Sequence, residues 1–186
     1  MGFSKTVATD LTLKSVPLAP NPALAVVIPA YNEASTIAAV AAGARRMTPH
    51  VIVVDDGSQD DTAQIAEQLD VVVLRLSENQ GKAAALIAGF QYALTLDVQG
   101  VVTLDGDGQQ QWGDIGKISE AGLLAGNRIV IGSRLHQPEN FPKSRLRANR
   151  IANFWISWAA GHRVSDSQSG FRYYPITLLQ MMDFSR

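Results

Sequence analysis

The sequence contains no cysteine, which removes disulfide bonds, thiolate nucleophiles and cysteine-based zinc sites together and suits a cytoplasmic setting. An excess of charge of either sign is lacking too. With 16 basic and 17 acidic residues the formal net charge is −1, so no global field attracts nucleic acid, and any anionic ligand must be held by local basic groups. No apolar run approaches the roughly 20 residues of a membrane span, and no secretory h-region opens the chain. The expectation is a protein that neither crosses a membrane nor is exported by that route. His50, His136 and His162 are too scattered for a metal site and read as surface or capping residues. Internal repeats and low-complexity tracts are missing as well.

Two nucleotide-binding signatures are also absent. No G-x-G-x-x-G follows the first apolar run, which argues against a dinucleotide fold. Gly81 and Lys82 look like the end of a P-loop, but Leu76 stands where its first glycine belongs and Ala83 where a hydroxyl should meet Mg²⁺. What is present is 186 residues, 46% hydrophobic and 18% charged, enough for one domain with a real core.

Residues 1–22 carry Pro17, Pro20 and Pro22 without sustained periodicity and read as a flexible leader before a domain over 23–186. An apolar run over 24–28 stops at Pro29, and Tyr31, Asn32 and Glu33 precede a helical pattern of Ile37, Val40, Ala41 and Ala44. Residues 51–54 make a second strand ending in Asp55 and Asp56, and Asp60 or Asp61 can cap the helix that follows. Residues 71–76 form a third strand, and an alanine-rich helix runs from about Lys82 to about Leu96. The fourth strand, 100–104, delivers Asp105, Gly106, Asp107, Gly108 and Gln109. A helix over 114–124, a short strand over 128–131 and a last helix from Pro175 complete the alternation. Strands alternating with helices imply a mostly parallel α/β sheet covered by helices on both faces.

Ligands of such sheets bind beyond the strand ends, where Glu33, Asp55, Asp56, Asp105 and Asp107 should converge. Two carboxylates flanking a glycine can turn toward one point and hold a hard divalent cation through oxygen; the same residues also suit a polar turn. Over 143–160, Arg145, Arg147 and Arg150 share a helical pattern with Ile151, Phe154, Trp155 and Trp158. That helix either packs on the core or offers a basic, aromatic face to a membrane interface.

The blocks VIPAYNE at 27–33, VVDDGSQDDT at 53–62, NQGKAAAL at 79–86, DGDGQ at 105–109, GSR at 132–134 and DSQSGFR at 166–172 occur in this order. Together they resemble family 2 glycosyltransferases, and within them the dolichol-phosphate mannosyltransferase-like, polyprenyl-phosphate branch. The resemblance implies a GT-A fold, a Rossmann-like nucleotide-sugar-binding sheet, and an enzyme that is metal-dependent and inverting. It places Pro29, Tyr31, Glu33 and Asp56 around base and ribose, with Lys82, Asp105, Gly106 and Asp107 completing the donor site. Asp105, Asp107 and Gln109 would hold Mg²⁺ or Mn²⁺ against the diphosphate, and Arg134 would meet donor or acceptor phosphate.

The acceptor implied is a polyprenyl phosphate, cradled by Arg134, Arg145 and Asn149 at the membrane surface, so the protein would sit peripherally on its cytoplasmic face. An anionic phosphate oxygen dispenses with a base. With a sugar hydroxyl as acceptor, Asp166 would have to take the proton; a non-catalytic nucleotide-sugar-binding domain is the third reading. Relatives usually continue beyond the position of Arg186, so the expectation is a domain shortened at its C-terminus. Sugar, base and oligomeric state are not readable from the motifs.

Overall fold

The computed structural model describes residues 21, 23–109, 112–132 and 169–184. Among these residues six strands form one sheet: β1 (Leu24–Ala30), β2 (His50–Asp55), β3 (Val72–Arg75), β4 (Gly100–Thr103), β5 (Val130–Ile131) and β6 (Arg172–Pro175), in spatial order β3-β2-β1-β4-β6-β5. β1, β2, β3 and β4 pair in parallel, and β6 lies antiparallel between β4 and β5. Helices α1 (Ile37–Arg45), α2 (Thr62–Glu67), α3 (Lys82–Ala93), α4 (Ile115–Ala125) and α5 (Ile176–Gln180) cover both faces. The α/β architecture expected from the alternation is the one observed.

Alternation along β1 explains the two layers. Val26 and Ile28 face a core with Ile37, Val40 and Ile115, whereas Ala25 and Val27 face another with Ala85, Phe90 and Leu179. All seven residues of β1 are buried. A fully buried Val, Leu or Ile side chain contributes about 1.5–3 kcal/mol, and the central strand carries several of them.

Three differences from the sequence reading have clear causes. The first strand does not stop at Pro29 but runs through it to Ala30. The Val27 carbonyl accepts from Leu104 N on the β4 side and the Ala30 carbonyl from Asp56 N on the β2 side. Position 29 therefore faces β4, whose pairing has ended at Val27–Thr103, and the missing proline N–H breaks no ladder. The alanine-rich helix ends at Ala93 rather than near Leu96, its last turn closing through Leu96 N to Ala93 O. Residues 172–175, where only a last helix from Pro175 was expected, form β6. This strand is only four residues long, too short for periodicity to show. It sends Tyr173 into the layer of Ile115 and Tyr174 against Phe90, with ring centroids 4.9 Å apart. Pro175 does stand at the start of the last helix.

Among the described residues no helix is long and apolar enough to cross a membrane. The leader except Asn21, the basic and aromatic pattern over 143–160, and Arg134, Arg145, Asn149 and Asp166 lie outside the described residues.

Candidate functional site

Parallel strands bring the loops after β1, β2, β3 and β4 to one edge of the sheet. A cavity of about 230 Å³ opens there, lined by Pro29, Ala30, Tyr31, Glu33, Asp56, Lys82, Ala85, Asp105, Gly106 and Asp107. The eight positions expected to meet the donor therefore share one cleft. Gln109 is beside it, its backbone N–H donating to Asp107 Oδ1 at 2.9 Å, but it does not line the cavity. Asp55 departs from expectation. Neighbouring strand residues point to opposite faces, so Asp56 faces the cavity while Asp55 is buried behind it, its Oδ2 accepting from Ser58 N at 3.3 Å.

Backbone geometry holds the first two loops together. Asn32 has φ 56°, a left-handed conformation that asparagine tolerates better than most residues. Its N–H donates to Ser58 Oγ at 2.9 Å and its Oδ1 accepts from Gln59 N at 2.9 Å. Glu33 N donates to Thr62 Oγ1 at 2.7 Å and Ala34 N to Asp60 Oδ2 at 3.1 Å. Asp60, rather than Asp61, also accepts from Thr62 N, at 3.0 Å, and from the Thr62 hydroxyl. Those bonds, the side-chain bond from Thr62 foremost, hold the Asp60 carboxyl below the ordinary aspartate range. Tyr31 and Glu33 thus project from a loop clamped to its neighbour. The sequence reading named Asp60 only as a cap, and the bond to Ala34 is a contact between loops that spacing along the chain does not reveal.

Helix α3 also begins at the cavity. Lys82, its first residue, forms an ion pair with Asp105, and Asp56 Oδ1 accepts from Gln80 N at 2.8 Å. The positive end of the α3 dipole and the Lys82 ammonium give this acidic cleft a place for anionic oxygen. Gly57, at φ 68°, lets the β2 loop pass so close to the backbone of Glu78 and Asn79 that a Cβ would stand 2.7 Å from Asn79 N. A residue missed from the sequence lies under Asp105: a Cβ at Gly170 would strike both carboxylate oxygens. The Gly170 carbonyl also accepts from Thr103 Oγ1 at 2.6 Å. Glycine within the DSQSGFR block is the sequence signal that points to it.

The donor set fits a divalent cation. Two aspartates supply oxygen atoms only, and Mg²⁺ or Mn²⁺ sites commonly use one or two carboxylates and leave other positions to substrate phosphate. Among the described residues no group of three or more acidic or histidine side chains is placed to hold a metal ion.

The family model described as Glycosyl transferase family 2 matches residues 25–184. A UDP-N-acetylglucosamine–dolichyl-phosphate N-acetylglucosaminyltransferase of Methanococcus voltae is 30% identical over 84% of this chain and 70% of its own length. The polyprenol monophosphomannose synthase of Mycolicibacterium smegmatis is 30% identical over 86% of this chain and 64% of its own. An uncharacterised Methanocaldococcus jannaschii protein reaches 35% identity over 80% of this chain and 63% of its own. The chain thus spans about two thirds of the length of these relatives. Among solved structures, glucosyl-3-phosphoglycerate synthase from Mycobacterium tuberculosis, in complex with Mn²⁺, UDP and phosphoglyceric acid, matches with a TM-score of 0.63 at 21% identity. The match covers 84% of this chain and 56% of that one. That likeness is one of fold, the GT-A type. With motif blocks brought to one sheet edge and a family model spanning almost the whole described domain, the chain belongs to glycosyl transferase family 2.

Proposed function

We propose that this domain transfers a sugar from a nucleotide-diphosphate sugar to a polyprenyl phosphate at a membrane surface. The observation that carries the proposal is the single cleft lined together by Tyr31, Glu33, Asp56, Lys82, Asp105 and Asp107. The Methanococcus and Mycolicibacterium relatives, named for dolichyl phosphate and for a polyprenol, support the acceptor class.

In this reading the Tyr31 ring and the Asp56 carboxylate bound the base, and Glu33 accepts hydrogen bonds from ribose hydroxyls. Asp105 and Asp107 would hold Mg²⁺ or Mn²⁺, which when bound supplies positive charge for the departing diphosphate. Lys82, held in reserve by Asp105, turns its ammonium to a diphosphate oxygen and offsets part of that charge. The acceptor phosphate oxygen, already anionic, forms the new bond to the anomeric carbon as the bond to the diphosphate oxygen breaks. The electron pair leaves with the nucleoside diphosphate and the configuration inverts. No proton has to move, so the main task of the protein is positioning. By the family resemblance Arg134, Arg145 and Asn149 would meet the acceptor phosphate, Arg134 also the leaving group, and Asp166 would have a structural or donor-sugar role.

Binding of UDP and of GDP, each with and without Mn²⁺, tests the cleft; a panel of nucleotide sugars with a polyprenyl phosphate tests the transfer. Asp107→Ala should abolish the Mn²⁺-dependent part of nucleotide affinity. Mn²⁺-dependent affinity unchanged by that substitution would refute the metal site, and transfer to sugar hydroxyls alone would refute the acceptor.

A further inference from the structure

Thr36 stands at the N-cap of α1, where a threonine hydroxyl ordinarily accepts a hydrogen bond from the first turn. Here it makes no such bond. The hydroxyl instead reaches across 70 positions of sequence to the Gly106 carbonyl, at 2.7 Å, and lies 3.1 Å from Glu33 Oε2 and 3.2 Å from the Glu33 carbonyl. A hydroxyl has one hydrogen to donate, so these oxygens compete for it. Gly106 separates Asp105 from Asp107 and lies beside β1 and Glu33, where a Cβ would make ordinary contacts, 3.4 Å to the Pro29 carbonyl and 3.5 Å to Glu33 Cγ. How the Gly106 peptide is held therefore decides how both aspartates are presented.

Resting on the nucleotide-sugar reading of the cleft, we propose that Thr36 is a positioning residue coupling occupancy at Glu33 to the arrangement of the Asp105–Asp107 loop. While Glu33 has no ligand, its carboxylate draws on the Thr36 hydrogen. A ribose hydroxyl donating to Glu33 satisfies that carboxylate, and the Thr36 hydrogen passes wholly to the Gly106 carbonyl. The loop is then fixed with its carboxylates set for a cation. By linkage the effect is reciprocal: a cation at the loop raises affinity for the nucleoside by the factor by which the nucleoside raises affinity for the cation.

The test is that factor, measured as the ratio of UDP affinity, and of GDP affinity, at saturating and at zero Mn²⁺ by calorimetry on the full chain. Thr36→Val, which keeps the shape and removes the hydroxyl, should lower the ratio about three- to tenfold, the range of one lost hydrogen bond. Thr36→Ser should restore it. Glu33→Gln should lower the ratio in the wild-type background and not lower it further with Thr36→Val. A merely structural role would depress melting temperature and both affinities together and leave the ratio unchanged; that result overturns the proposal. So does a Thr36→Ser protein that behaves like Thr36→Val. Should Thr36→Val lose its cooperative thermal transition, the Ser and Gln variants decide, and a ratio unaltered by Glu33→Gln refutes the coupling. If wild type binds neither UDP nor GDP in the presence of Mn²⁺, the nucleotide reading fails and takes the coupling with it. If wild type shows Mn²⁺-dependent binding and only the ratios disagree, the coupling fails alone.

Discussion

Replacing Gly170 with alanine perturbs the Asp105–Asp107 site without replacing any charged side chain. The added Cβ would stand 2.6 Å from Asp105 Cγ and closer still to both of its oxygens. Carbon atoms at rest are about 3.5–4.0 Å apart, so the carboxylate must retreat by about 1 Å or the 169–171 segment must move by as much. The backbone has little freedom to yield. The Gly170 carbonyl is tied to Thr103 Oγ1, and the Ser169 hydroxyl donates to the Gly132 carbonyl at 2.6 Å. Overpacking of this kind costs about 1–3 kcal/mol. For a domain of this size that amounts to a fall in melting temperature of about 2–4 °C per kcal/mol. The larger consequence is at the site, where a displacement of about 1 Å costs on the order of 100-fold in catalysis. Calorimetry with UDP or GDP and Mn²⁺ should therefore show Gly170→Ala losing about 10- to 100-fold in metal-dependent affinity, with metal-independent affinity little changed. A variant that melts several degrees lower yet binds cation and nucleotide as wild type does would refute the argument that Gly170 positions Asp105.

The remaining predictions concern the scaffold. Because the folded-state pKa of Asp60 is depressed, the unfolded chain takes up its proton first as pH falls, and the stability contributed by this carboxylate is lost below about pH 4. The melting-temperature gap between wild type and Asp60→Ala should be full at pH 6 and shrink by pH 3; a gap independent of pH would refute the clamp. Burial pushes the Tyr173 hydroxyl up, so above about pH 10 the unfolded chain ionises first and stability falls. Tyr173→Phe should flatten that alkaline decline in a pH series of thermal melts. Gly57→Ala forces a side chain into a left-handed conformation costing about 1–2 kcal/mol, with a backbone clash at Asn79 added. It should lower the melting temperature by several degrees and weaken nucleotide binding through Asp56.

Asp105 and Asp107 were legible as a pair because a glycine between two carboxylates after an apolar run is a local pattern, readable without knowing what surrounds it. The positions at the ends of β1, β2 and β4 could be placed at one edge because successive parallel strands admit few topologies. The resemblance added roles to these residues, whereas spacing alone left the aspartate pair open between cation site and polar turn. Lys82 shows the limit of such reading: its spacing gave only a failed P-loop lysine, the resemblance put it in the donor site, and the packing of α3 on the sheet is what sets it against Asp105.

What the chain by itself determined is the set of short-range choices: apolar runs that become buried strands, alanine-rich stretches that become helices, carboxylates waiting at their ends. The tertiary structure alone decided which of those carboxylates face the cleft, turning Asp56 inward and Asp55 away, and which distant groups hold them. It inserted β6 antiparallel between β4 and β5, laid Gly170 under Asp105, and spent the Thr36 hydroxyl on Gly106. The last two contacts join positions 65 and 70 residues apart, from Asp105 to Gly170 and from Thr36 to Gly106. Periodicity reports only which face of its own element a residue occupies; what that face meets is settled when the sheet and its helices pack.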